Sequence, residues 1–238
     1  MVTLACVSLA QQLERVRGVI AAACARRGRS FEEVRLLAAT KTVAPERIAE
    51  AYALGVRLFG ENRVQEREAK RPALASLAAE WRLLGPLQSN KAARALSLFD
   101  AIESLNSLAL AQRLDRLARE TNRPPLPVLL EINIGEEPQK HGIAPAQALA
   151  VAQAVAELPH LRLGGVMAVP PAVSAPEAAR PYFAALAALG EQLRLELHRP
   201  RAGWDLSMGM SHDFAVAVEE GATIVRLGSA LFGSRPPL

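Results

Sequence analysis

The chain has 238 residues, half of them hydrophobic and 22% charged, a balance that can bury a sizeable core and that excludes a disordered, collagenous or disulfide-scaffold protein. Formal net charge is +4, and the cations are lopsided: 24 arginines stand against four lysines, at positions 41, 70, 91 and 140. The arginines are scattered over helical patterns and only 4% of the residues are aromatic, so no stacking surface for nucleic acid is expected.

Leu9, Leu13, Val16, Ile20 and Ala23 recur at the spacing of an amphipathic helix over 9–24, so the chain opens on a helix rather than a strand. Cys6 and Cys24 both fall in this first stretch, and as helical residues they would lie about 27 Å apart, far beyond disulfide reach. Two thiols with no C-x-x-C spacing imply a reducing compartment and no zinc site. The first charge is Glu14 and no uncharged apolar run approaches the roughly 20 residues of a membrane span, so a cytoplasmic protein is expected.

Val34 to Thr40 then reads as a strand, and Val43-Ala44-Pro45-Glu46 opens a helix that Gly55 ends. Strand-like runs follow near 56–59, 81–84, 98–103, 127–133, 161–169, 204–208 and 222–227, separated by helical patterns. Eight β-then-α units in about 200 residues predict an α/β fold: a single (β/α)8 TIM barrel with an extra N-terminal helix, one domain over 1–238. An open doubly wound sheet is the alternative. The proline-rich patches, including Pro236-Pro237, read as loop punctuation and a tail.

In such a barrel the chemistry sits at the C-terminal strand ends. Four places meet that test: Lys41 after the first strand, Gly60-Glu61-Asn62 after the second, Ser207-Met208-Gly209-Met210-Ser211 after the seventh, and Arg226-Leu227-Gly228-Ser229 closing the eighth. A strand-end lysine whose pKa is lowered by desolvation can form a Schiff base; taken alone, Lys41 reads more readily as a surface residue. Ser211 stands where it would cap a helix over 212–219, and Gly228 and Ser229 precede a short helical end, the loops in which barrels bind phosphate. Gly209 and Gly228 equally suit plain turns. Together, an imine lysine and a phosphate site point to an aldehyde-bearing phosphate ester.

Other patterns fail on geometry. Ser211-His212-Asp213 cannot form a relay on one helix, the four histidines show no metal-ligand spacing, and there is no dinucleotide or Walker loop.

The same residues carry a resemblance. Ala38 to Val43, Phe59-Gly60-Glu61-Asn62-Arg63-Val64-Gln65-Glu66, Gly85-Pro86-Leu87-Gln88-Ser89-Asn90-Lys91, Asn133 to Glu137, Lys140 to Ile143, Met167 to Pro170, Leu206 to Ser211 and Val225 to Ser229 resemble the pyridoxal phosphate homeostasis proteins. That family is similar to the barrel domain of alanine racemase without its second domain. The resemblance implies that Lys41 forms the Schiff base with pyridoxal 5′-phosphate, that Ser211, Gly228 and Ser229 hold the phosphate, that Asn62 and Met208 border the cofactor, and that Arg226 faces the pyridine nitrogen. It gives Lys140 a part in cofactor handling outside the Schiff base. The chain departs from the family where Arg82 replaces a usual histidine, and near Glu103 and Asn106, where histidine and aspartate are common.

An arginine at the ring nitrogen disfavours its protonation and makes the cofactor a weak electron sink. With the chain ending at Leu238, no second domain is expected to supply the base a racemase needs. The expectation is therefore a non-catalytic, monomeric carrier that binds, buffers or delivers pyridoxal phosphate, with apo-enzymes as recipients. A PLP-dependent racemase and a cofactor-free Schiff-base aldolase are the alternatives.

Overall fold

In the computed structural model, which describes residues 7–233, the apolar runs become eight parallel strands. They are β1 (Arg35–Ala39), β2 (Leu58–Glu61), β3 (Glu80–Leu83), β4 (Ala101–Leu105), β5 (Leu126–Glu131), β6 (Leu161–Met167), β7 (Asp205–Ser207) and β8 (Ile224–Leu227). They pair in sequence order, and β8 returns to β1 with Leu37 opposite Arg226 and Ala38 opposite Leu227, closing the barrel. The closure excludes the open doubly wound sheet.

The outer ring is α2 (Pro45–Ala53), α3 (Val64–Lys70), α4 (Ala92–Leu96), α5 (Leu108–Glu120), α6 (Ala148–Ala156), α7 (Arg180–Glu196), α8 (Phe214–Glu219) and α9 (Ser229–Phe232). The extra N-terminal helix, α1 (Leu9–Arg26), starts at a capping box. Ser8 Oγ accepts from Gln11 N–H at 3.2 Å, and Gln11 Oε1 accepts from Ser8 N–H at 2.9 Å. Its apolar stripe of Leu9, Leu13, Val16, Ile20 and Ala23 is buried, and Arg26 and Arg27 pair with Glu219 and Glu220 at the end of α8. Cys24 is buried and free; Cys6 and Pro236-Pro237 lie outside the described residues.

The barrel filling is mixed. Leu37, Leu58 and Ile224 form one apolar cluster inside it, whereas Arg82, Glu103, Ser207 and Arg226 are buried there as polar side chains. Such groups remain in an interior only when their partners are present. Among the described residues no helix is long and apolar enough to cross a membrane.

Two strands sit further along the chain than their apolar runs. The run at 56–59 becomes β2 from Leu58, and that at 98–103 becomes β4 from Ala101. Val56, Leu98 and Phe99 are buried but lie in the connections leading into the barrel, so hydrophobicity marks their burial and not their pairing.

Candidate functional site

Because β1 lies between β8 and β2, and β8 beside β7, the loops after β7, β8, β1 and β2 form one continuous sector of the C-terminal rim. All but one of the candidate residues fall in that sector. Lys41 lies two residues beyond β1 and is half-buried; Asn62 directly follows β2; Met208, Ser211, Gly228 and Ser229 come from the β7 and β8 ends. Lys140, on the loop after β5, lies outside it and donates to Pro170 O at 3.0 Å, tying together the loops that follow β5 and β6.

The turn carrying Lys41 is tightly held. Thr40 O accepts from Val43 N–H at 2.9 Å and from Lys70 Nζ at 2.7 Å. Thr42 takes φ +62°, a left-handed conformation that costs a β-branched residue energy. Lys70 also pairs with Glu61 at 2.7 Å, and Thr40 Oγ1 donates to the same Glu61 oxygen at 2.7 Å. Burial pushes the Glu61 carboxyl above its ordinary range against the pull of Lys70 and Thr40, and the adjoining Glu66 carboxyl pushes it up again.

Opposite this turn, the β7 and β8 loops are tied to each other. Ser211 does not cap a helix as the sequence suggests: α8 begins at Phe214, and Asp213 occupies the cap position with its Oδ1 accepting from Met210 N–H at 2.7 Å. The Ser211 hydroxyl instead accepts from Ala230 N–H at 3.1 Å, beside Gly228 and Ser229. Ser211 stays in the loops expected to bind phosphate, with a different partner. Among the described residues, the Gly228 and Ser229 N–H groups find no backbone acceptor. Gly209 is required for its conformation: at φ +91°, a Cβ there would lie 2.5 Å from Ala217 Cβ. Beside Asn62, a Cβ on Gly85 would fall 2.2 Å from Asn62 O, so Gly85 lets these two rim loops touch.

Arg226 lies beneath the rim. Its Nη1 donates to Ser207 Oγ and its Nη2 to Ala168 O, each at 2.8 Å. Burial lowers its pKa from the ordinary arginine value, against the opposing fields of Glu103, Asp213 and Glu131. Sequence reasoning passed over Glu131, the last residue of β5. Its carboxyl is pushed up by burial, with His141 and Arg226 pulling the other way, and its Oε2 has no partner. The available signal was a carboxylate ending an apolar run. Among the described residues, no group of three or more metal-ligating side chains comes together.

An amine, unpartnered loop N–H donors, a hydroxyl and a buried guanidinium in one sector match a ligand with an aldehyde, an anionic tail and a ring acceptor. Comparison with known proteins agrees with that chemistry. The model for "Alanine racemase, N-terminal domain" matches residues 13–236. The chain belongs to this family. Within the family it stands with the pyridoxal phosphate homeostasis proteins. The protein of that name from Aquifex aeolicus is 42% identical over 231 residues, covering 97% of this chain and 98% of the relative. That of Escherichia coli K12 is 43% identical, covering 95% and 97%. PipY of Synechococcus elongatus, solved with PLP bound, superimposes with a TM-score of 0.82 at 37% identity, covering 95% of this chain and all of PipY. The racemase-type barrel and the homeostasis-protein resemblance read from the sequence are thus both established.

Proposed function

We propose that this chain binds pyridoxal 5′-phosphate reversibly and holds it for buffering or delivery, through Lys41. The observation that carries the reading is the gathering of Lys41 with the donor-rich β7 and β8 loops by the β8–β1 closure. Pyridoxal phosphate, when bound, supplies an aldehyde to the lysine amine and a phosphate to the loops. Ser211, Gly228 and Ser229 hold the phosphate, Asn62 and Met208 border the ring, Arg226 meets the ring nitrogen, and Lys140 acts in exchange. The names of the relatives and the PLP in PipY support this assignment.

A cationic Arg226 keeps the ring nitrogen unprotonated, which weakens electron withdrawal and suits storage better than turnover. Glu131 favours a second reading, a racemase: it is a carboxyl at the C-terminal strand ends whose pKa is raised, as a general base needs. Spectra of the protein with PLP, before and after borohydride reduction and followed by peptide mapping, test the binding claim. A visible band and a label at Lys41 are expected; a protein left colourless by added PLP refutes it. Formation of D-amino acids by the loaded protein would decide for the racemase.

A further inference from the structure

Two of the three positions at which the chain departs from the family pattern, Arg82 and Glu103, belong to one buried assembly with Arg226. Ser207 Oγ donates to Glu103 Oε2 at 2.6 Å, and the other oxygen of that carboxylate accepts from Arg82 Nη1 at 3.0 Å. A hydroxyl has one hydrogen, so with that hydrogen on Glu103 the Ser207 oxygen is an acceptor, and Arg226 Nη1 fills it. Glu103 and Ser207 are fully buried, and Arg82 and Arg226 retain 5% exposure. The carboxylate therefore stands between two interior cations and, by taking the Ser207 hydrogen, leaves the Ser207 oxygen as the acceptor for Arg226. The second anchor, Ala168 O, is main chain at the end of β6. Two anchors fix the plane of the guanidinium and leave its other N–H groups for a ligand.

We propose that Glu103, acting through Ser207, is the positioning residue that aims Arg226 at the ring nitrogen of the cofactor. The proposal rests on the pyridoxal phosphate reading. It makes the Glu103 carboxylate, rather than Arg82, the group on which cofactor recognition depends, with Arg82 serving to hold that carboxylate in place.

The test compares the affinity of the full chain for pyridoxal 5′-phosphate and for its 1-deaza analogue, in which carbon replaces the ring nitrogen. The unaltered chain is expected to prefer pyridoxal phosphate about tenfold, the effect of one hydrogen bond to a charged group. Ser207→Ala leaves both charges in place and cuts the relay. It is expected to reduce the preference to about threefold or less by weakening pyridoxal phosphate binding alone. Glu103→Gln should move the ratio the same way, and a folded Glu103→Gln protein that keeps the tenfold preference overturns the proposal; should it fail to fold, Glu103→Asp, which draws the carboxylate back from Ser207, is read by the same criterion. A Ser207→Ala protein that keeps the tenfold preference overturns the proposal, and so does one that loses affinity for both ligands equally, which is the mark of a purely structural role. An unaltered chain that binds both ligands equally well removes Arg226 from the ring nitrogen and the proposal with it. One that binds neither overturns the cofactor reading itself.

Discussion

Lys70→Met removes a partly buried cation while keeping most of the side-chain volume. Two bonds are lost, to Thr40 O and to Glu61 Oε1, both 2.7 Å. Glu61 is fully buried and the Lys70 side chain is 12% exposed, so the Glu61 carboxylate loses the cation paired with it. Breaking a buried pair in this way costs about 3–5 kcal/mol, and the slight exposure of Lys70 places the loss near the lower end, about 3 kcal/mol around pH 8. The sign of the pH dependence follows from the raised Glu61 pKa. The folded state holds a proton that the unfolded state has released, so this group loses stability as pH rises through the folded value. Without Lys70 that value moves further up. Near pH 4, below the ordinary glutamate pKa of about 4.3, a carboxyl whose pKa is raised is protonated in the variant at little cost, and the loss shrinks to about 1 kcal/mol, that of the bond to Thr40 O. Urea unfolding of both proteins at the two pH values measures the difference, in which contributions common to both cancel. Equal losses at the two pH values, or a loss under about 1 kcal/mol at pH 8, would refute the reasoning.

Lys41→Ala is expected to abolish the visible band that added PLP produces while leaving the far-ultraviolet circular dichroism unchanged; a retained band removes Lys41 from the attachment role. Gly209→Ala forces a Cβ into Ala217 at φ +91° and should cost about 2–3 kcal/mol, lowering the melting temperature by about 6 °C. It should weaken cofactor binding as well, because Gly209 O accepts from Arg226 N–H at 2.9 Å. Arg82→His and Glu103→His, measured singly and together, should show a coupling of at least about 1.5 kcal/mol, and additivity within about 0.5 kcal/mol would show that the two side chains are independent.

The alternation of apolar runs with amphipathic helices made the barrel legible, because each strand buried on both faces reads as a short continuous hydrophobic segment. The site was legible to the same extent: loops following adjacent parallel strands must lie together, so Lys41, Asn62 and Gly228 could be grouped once closure was assumed. Strand limits were less legible. Charged residues inside β3, β4 and β8 interrupt the hydrophobic pattern although they pair normally, and Leu98 and Phe99 extend it into a turn. The partner of Ser211 was hidden because the competing cap, Asp213, is an equally good residue type two positions on. A cavity of about 880 Å³ at the opposite end of the barrel, lined by Arg35, Glu80, Arg82, Trp204 and Asp205, left no trace in the sequence, since its walls come from distant segments.

That cavity changes how Arg82 and Glu103 are understood. An arginine at position 82 and a glutamate at 103 each carry a charge into the interior, where either would be costly without partners. Together they balance, and they do so only because the balance extends further in both directions. Arg82 also pairs with Glu80 at 2.7 Å and Asp205 at 3.6 Å, and Asp205 with Arg35 at 2.5 Å. Arg226 closes the other end through Ser207. The alternating charges thus run the height of the barrel, from the C-terminal end of β6 to the cavity at its N-terminal end. In a polar column of this kind each hydrogen bond is coupled to its neighbours. Arg82, far from the Lys41 rim, is thereby connected to the residue assigned to the ring nitrogen, which a purely apolar barrel filling would have isolated.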